Sequence, residues 1–392
     1  MGPFHSVCLP LVFDSDEKME LSFPATSESF PARHDEQILT RVRELVLAYG
    51  WNSTCFQIIN PGIEYWFGEG GDSVVGYVTS GSSRVVAGSP VCRSEALSKV
   101  VSAFESDAAD NGLGVCYFAA EDRLETVLHD SPYHAKVLLG AQPVWDPVNW
   151  PAVVARRSSL RGQLSRARNK GVTISEWPIE KAHGNPLLHR CLEAWLATKG
   201  LPPLHFVIEP ETLTRLENRR IFVAEHGGRV VAFLVLSPIP ERDGWLTEQF
   251  PHDPSAPNGT VELMMDAAIR KLADDGAKYV TLGLSPLSKR AKIEPFENPF
   301  WLRILLAWMC KHGKRFYNFD GLDAFKSKMT PDLWEPVFAI SNERTFSGST
   351  LYSIALAFTD NKPFRVVAGG LRKAFVSEIR TLRSRLLRLV SS

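Results

Sequence analysis

Apolar positions along this chain follow two rhythms that alternate. From Asp35 to Gly50, residues Ile38, Val42, Leu45 and Val46 share one helical face, and Gly50 supplies a stop. Four short apolar runs come next, at 55–59, 64–67, 73–79 and 83–87, with turn residues between them. They predict a meander of antiparallel strands. A helix over 94–111 and a strand over 114–119 complete the first half, which closes near Pro151. The second half repeats the order. Residues 187–199 have helical spacing, and runs 220–225 and 229–237 form a hairpin across His226-Gly227-Gly228. A strand is predicted over 245–250, a helix over 261–275 closed by Gly276, and a strand over 279–284. Strands mixed with helices in this order predict an α/β (α+β) fold in two similar halves.

The tail departs from this rhythm. Between Phe364 and Val390, Val367, Leu371, Phe375, Ile379, Leu382, Leu386 and Leu389 recur at helical spacing among seven basic residues, with Glu378 the sole acid. This basic amphipathic helix suits either an anionic membrane surface or docking on the protein's own core. The segments are therefore read as 1–34 irregular, 35–155 first domain, 156–172 basic linker helix, 173–345 second domain and 346–392 tail.

Composition narrows the function. With 392 residues, 44% hydrophobic and 22% charged, the chain is ordinary globular material for two or three domains. Its 44 basic and 44 acidic residues cancel, so any nucleic acid must meet a local patch rather than a global field. Six scattered cysteines without a CxxC pair suit free thiols in a reducing compartment. No apolar run approaches about 18 residues, so no membrane-spanning helix is expected. No cationic-then-apolar leader pattern opens the chain. A cytoplasmic protein is the expectation, with the tail suited to peripheral attachment on the inner membrane face. Histidines lack metal spacing, and nucleotide-binding glycine motifs are missing, so neither a metal nor a nucleotide cofactor is expected. Residues 245–257 also lack the arginine- and glycine-rich loop that would hold coenzyme A.

Several local patterns carry chemistry. In Ala256-Pro257-Asn258-Gly259-Thr260, Gly259 allows a positive φ and Thr260 is placed to cap a helix starting at Val261. Such a helix start can seat an anion, although an ordinary strand-to-helix turn has the same residues. Glu248 stands at a strand end just before it, placed to orient an amine or take a proton from a hydroxyl. The strand over 279–284 runs through Gly283 into Ser285-Pro286, where proline ends pairing. Asn318-Phe319-Asp320-Gly321-Leu322 precedes Lys326 and Lys328, which suit a phosphate or plain solvent. Arg156, Arg157, Arg161, Arg166, Arg168 and Lys170 form a basic run, with Arg157, Arg161 and Arg168 on roughly one helical face. That face suits an RNA backbone or a solvated linker.

Taken together, Pro257 to Thr260, Leu282-Gly283-Leu284-Ser285-Pro286, Asn318 to Lys328 and Trp334-Glu335-Pro336 resemble the soluble C-terminal domain of the lysylphosphatidylglycerol synthases (multiple peptide resistance factors). Gly76-Tyr77 and Gly88-Ser89-Pro90 extend the resemblance into the first half, so it covers roughly residues 49–340; the family usually has aspartate at the Ser89 position. The resemblance implies two tandem N-acetyltransferase-like (GNAT) domains, whose strands splay near residue 285 and expose backbone to an extended substrate. It implies transfer of an aminoacyl group from aminoacyl-tRNA to the hydroxyl of a lipid such as phosphatidylglycerol. It implies Glu248 and Lys326 as catalytic residues. Asn258, Gly259, Thr260, Gly283, Ser285, Asn318, Asp320 and Lys328 would bind substrate, and Arg157, Arg161 and Arg168 would bind tRNA. No cofactor is implied, since the donor ester is already activated. Where the family carries an arginine three positions after Glu248, this chain has Pro251, followed by His252. A soluble metabolite acceptor and a non-catalytic tRNA- or lipid-binding homologue remain alternatives.

Overall fold

The computed structural model describes residues 32–199, 204–291, 298–305 and 319–359. The chain divides into two compact units, Met1–Ile38 and Leu39–Ser392. Of the first, only the start of helix α1 (Ala32–Tyr49) is described. Everything below belongs to the second, and the tail helix expected over 364–390 lies outside the described residues.

The first half contains β1 (Glu64–Phe67), β2 (Val74–Ser80), β3 (Ser83–Ala87), α2 (Leu97–Asp110), β4 (Gly114–Ala120), α3 (Asp122–Leu128) and β5 (Ala135–Trp145). Helices α4 (Trp150–Arg156) and α5 (Ser158–Asn169) follow, then β6 (Thr173–Trp177), α6 (Ile179–Ala182) and α7 (Pro186–Ala197). The second half continues with β7 (Arg220–His226), β8 (Arg229–Ile239), β9 (Gly244–Gln249), α8 (Thr260–Asp274), β10 (Tyr279–Thr281) and β11 (Ser285–Pro286). It ends with α9 (Phe319–Lys328), β12 (Leu333–Ser341) and α10 (Gly348–Phe358). The run 55–59, expected as a strand, is a buried 3-10 turn instead. Burial on every side leaves no alternation, and an apolar run alone does not separate the two structures.

All twelve strands of the described residues form one sheet in the order β1-β2-β3-β4-β12-β5-β10-β9-β8-β7-β6, with β11 also on β5. The pairs β3·β4 and β9·β10 are parallel and the others antiparallel. The order of pairings therefore reads alike from either end, apart from the extra strand β6. At its centre, β12 lies between β4 and β5 over the register Leu333↔Val144 to Ser341↔Ala135.

Alternate residues of β7 and β8 feed two cores. Phe222, Ala224, Leu234 and Leu236 pack toward α5 and α8 with Leu160, Leu164, Met264 and Met265. Ile221, Val223, Phe233 and Val235 pack on the other face with Leu188, Cys191 and Leu192 of α7. A third core joins α2 to β2, β4 and β12 through Phe104, Tyr117 and Phe338. The four described cysteines are buried, and burial pushes the Cys92 and Cys191 thiols up to about 12, so they are packing residues. No described helix is long and apolar enough to cross a membrane.

A polar seam crosses the sheet centre. Arg242, which follows β8, donates to Glu121 Oε2 at 3.1 Å and to Glu335 Oε1 at 2.5 Å. Glu335 Oε2 accepts from Tyr279 Oη at 2.8 Å and Gln142 Nε2 at 3.0 Å, while Glu121 Oε1 accepts the Ser53 N–H at 2.7 Å. Burial raises the Glu121 pKa to about 7, against the pull of Arg242. A raised folded-state pKa means that the folded chain holds the proton more tightly. Its contribution to stability is complete below the unfolded value near 4.5 and is lost as pH rises through about 7. Glu121→Gln should flatten the fall in unfolding free energy between pH 5 and 7, which in full is about 3 kcal/mol. Urea titrations at stepped pH measure it; a slope unchanged by the substitution would place the titration elsewhere.

Candidate active site at the splayed strands

Strands β9 and β10 pair in parallel from Gly244↔Tyr279 to Leu246↔Thr281 and then part. Several groups hold the parting open. Thr247 Oγ1 donates to Thr281 O at 3.1 Å, satisfying the last carbonyl of the pair. Across the gap, β5 offers Pro143, which has no N–H, and Thr281 Oγ1 donates to its carbonyl at 2.9 Å. Gly283 then turns the chain at φ +64, with its N–H on Thr281 Oγ1 at 3.0 Å. The backbone rejoins β5 at Ser285↔Ala141 and Pro286↔Gly140, so the expected strand over 279–284 is really two pieces around a bulge. Only glycine fits at position 140, because a Cβ there would lie 2.2 Å from Ser285 O. Pairing also outlasts Pro286, since the Leu287 N–H donates to Leu139 O at 2.7 Å.

Lys326 of α9 stands behind the bulge, 3% exposed. Its ammonium donates to the carbonyls of Leu282, Gly283 and Leu284, each at 2.8 Å. Three N–H donors meet three acceptors, which leaves none for a phosphate and corrects that expectation for Lys326. The three carbonyls of the bulge each already accept one hydrogen bond from this ammonium. Burial draws the Lys326 pKa down to about 7, opposed by Asp323. Asp323 accepts from Arg290 Nε at 2.8 Å and from Ser285 Oγ at 3.5 Å.

Glu248 lies on β9 just beyond its last pair with β10. Arg219 Nε donates to Glu248 Oε1 at 2.6 Å, and the arginine side chain is fully buried. The guanidinium stacks over Phe56 at 5.0 Å and reaches Asn60 Oδ1 at 3.3 Å. Glu248 thus has a cationic partner 29 residues upstream, which sequence spacing did not reveal.

The turn before α8 behaves differently from its sequence expectation. The helix starts at Thr260, and its N-cap is Gly259 at φ +94 with no side-chain cap. Thr260 Oγ1 instead donates to Pro257 O at 2.6 Å. A Cβ on Gly259 would lie 2.2 Å from Gln163 O, so the turn presses against α5. A cavity of about 400 Å³ opens there, lined by Asn258, Gly259, Thr260, Glu262, His252 and, from α5, Gln163 and Arg166. Lys328 Nζ donates to Glu262 Oε1 at 2.9 Å on its rim. One helix, α9, thereby bonds both the bulge and, through Glu262, a residue that lines the cavity.

Three members of the basic run are already bonded within the protein. Arg157 Nε donates to Thr330 Oγ1 at 2.7 Å, Arg161 to the carbonyls of Val154 and Ala155, and Arg168 to buried Asp266 at 2.9 Å. All three remain exposed. Asn318 lies outside the described residues, and Asp320 sits in the first turn of α9 with its side chain not described. Among the described residues, no group of three His, Cys, Asp or Glu is placed to hold a metal.

Removing the lysine tests the bulge. Lys326→Met should cost about 3 kcal/mol in urea unfolding, because three carbonyls lose their donor. Lys326→Arg should not restore it, since a planar guanidinium cannot converge on three carbonyls. Wild-type stability in Lys326→Met would show that the ammonium is dispensable.

The comparisons with known proteins agree with this architecture. Among solved structures, the chain superposes on a C-terminal DUF2156 domain from Agrobacterium fabrum with a TM-score of 0.69 at 21% identity, covering 83% of this chain and 98% of that one. The structure of L-PGS from Bacillus licheniformis gives 0.67 at 19% identity, covering 81% and 95%. Among curated proteins, the phosphatidylglycerol lysyltransferase of Bacillus subtilis is 22% identical over 286 residues, 72% of this chain and 33% of the relative. That of Staphylococcus aureus is 23% identical over 301 residues, 76% and 35%. The chain thus spans about a third of the length of the curated relatives it matches. The family profile described as phosphatidylglycerol lysyltransferase, C-terminal, matches residues 43–341, and the chain belongs to that family.

Proposed function

We propose that this chain transfers an aminoacyl group from aminoacyl-tRNA to the hydroxyl of a membrane lipid of the phosphatidylglycerol type. The observation that carries the reading is the family match over residues 43–341, with Glu248 beside the parted β9 and β10. In the reaction, the acceptor oxygen attacks the donor's ester carbonyl and a new ester C–O bond forms. The bond to the ribose oxygen breaks, and the acceptor's proton ends on that ribose oxygen. The donor is already an activated ester, so the step requires no added cofactor, and the enzyme's part is positioning with proton transfer.

Glu248 is the proton carrier in this reading, and Arg219 orients it. Lys326 shapes the cleft by holding the bulge through Gly283, and Ser285 anchors its far end. Asn258, Gly259 and Thr260 border the cavity that takes an anionic group, with Lys328 beside it. Asn318 and Asp320, which precede Lys326 in the sequence, are assigned to substrate on the family resemblance alone. The exposed basic run that includes Arg157, Arg161 and Arg168 receives the tRNA, whose phosphates supply much of the affinity. We read the mirrored strand pairing as two GNAT-like halves, 35–155 and 173–345, that have exchanged central strands. The enzyme works at the cytoplasmic face of the membrane, where tRNA and lipid meet.

A transfer assay with labelled aminoacyl-tRNAs and a total lipid extract tests the reaction, and a labelled lipid is the expected product. Label passing only to a soluble extract would replace the acceptor, and tRNA bound with no label moved would remove the enzyme reading. Glu248→Gln, which keeps an oxygen to accept from Arg219 but leaves the arginine's buried charge uncompensated, should lower the melting temperature and, at a temperature where it is folded, lower transfer by about 100-fold; activity near wild type would discard Glu248 as the proton carrier. For the donor, Arg157→Glu with Arg161→Glu should weaken tRNA binding and flatten its salt dependence by about two units of slope. An unchanged slope would move the RNA surface elsewhere.

A further inference from the structure

Eleven large apolar residues are exposed among those described, and most are scattered singly, as on any soluble protein. Three of the eleven fall within five positions of one short helical segment, residues 300–305. Phe300 is 71% exposed, Trp301 40% and Ile304 55%. Between them Leu302 is 2% exposed and pins the segment to the protein. The anchor behind is firm. Asn298 Oδ1 accepts the Leu138 N–H at 2.7 Å, and its Nδ2 donates to Leu138 O at 2.9 Å, so one side chain pairs with β5 as a strand would.

We infer that residues 298–305 form a membrane-docking surface that seats the protein on an anionic lipid bilayer. Two features select a bilayer over a protein partner. The exposed groups include tryptophan and phenylalanine, which favour the headgroup boundary. The surrounding charge complements anionic headgroups. The described charged residues over 289–305 are Lys289, Arg290 and Arg303, all basic and exposed, with Arg290 also bonded to Asp323. The position also fits the proposed chemistry. Leu138, which Asn298 grips, is two residues along β5 from Gly140, where β11 rejoins the sheet. The docking segment is therefore fixed to β5, the strand beside the bulge, about 7 Å along it from the point where β11 rejoins. This docking role rests on the reading that the acceptor is a membrane lipid.

The test uses the full chain in two measurements. In the first, cosedimentation with vesicles of phosphatidylcholine alone or with one part in three phosphatidylglycerol is compared between wild type and the Phe300→Ser, Trp301→Ser, Ile304→Ser triple variant. Wild type should bind the anionic vesicles, and the triple variant should bind at least about tenfold more weakly with an unchanged melting temperature. Phe300→Ser with Ile304→Ser serves as a milder second variant and should show an intermediate loss. Equal binding by all three proteins would overturn the proposal. So would a concentration-dependent dimer of wild type that the triple variant lacks, since a second copy would then cover the segment. The second measurement compares transfer to vesicle-embedded and to short-chain, water-soluble phosphatidylglycerol. The variant should lose the former and keep the latter. If wild type transfers to neither, the proposed reaction fails, while the vesicle binding still decides the docking surface.

Discussion

One buried ammonium holds the working end of this molecule in shape. Where β9 and β10 part, the carbonyls of Leu282, Gly283 and Leu284 have left one strand partner and not reached the next. Lys326 satisfies all three. Two opposing effects set its state: burial favours the neutral amine, whereas three carbonyls need three N–H donors, which only the ammonium has. Each orphaned buried carbonyl would cost about 1–3 kcal/mol. The cleft and the charge are thus mutually dependent, and neither is stable alone.

That dependence spreads through the sheet centre. Strand β5 meets β12 on one side and β10 and β11 on the other, so the two halves share one hydrogen-bonded surface. Proline would normally be kept out of central strands for want of an N–H. Here Pro143 and Pro336 lie on facing central strands, and Pro143 borders the parting. Its missing donor is part of why β10 leaves β5, with Thr281 Oγ1 bonding the carbonyl that remains. The seam of Arg242, Glu121, Glu335 and Tyr279 ties the same strands together through side chains.

This arrangement explains what could be read from the chain and what could not. The hairpin across Gly227-Gly228, helix α5 and helix α8 were legible, because each has a single periodicity and a local stop signal. The central strands β5 and β12 were not foreseen. They carry Gly140, Gln142, Pro143, Glu335 and Pro336, which break alternation, because they serve the seam and the bulge rather than a simple core. At the site, residue type was legible but partnership was not. Lys326 and Lys328 read as phosphate ligands, since charge is visible in a sequence and burial is not. The carbonyls that claim Lys326 lie 42 to 44 residues earlier, and Arg219 reaches Glu248 across 29. Only the folded sheet brings such pairs together.

Helix α9 gives these contacts a common mechanical element. Lys326 and Lys328 are two positions apart, which on a helix is about 200° around the axis. Their side chains accordingly leave in different directions: one to the bulge at 282–284, the other to Glu262 in the first turn of α8. The uncapped start of α8 adjoins α5 and its basic run through Gly259 and Gln163, whereas the bulge adjoins β5, which holds Asn298. In the reaction proposed above, the bulky polyanion and the lipid therefore meet different elements, α5 and the segment after Asn298. A rotation or slide of α9 would disturb both lysine contacts together, so the cleft and the cavity keep their spacing only while this helix keeps its register.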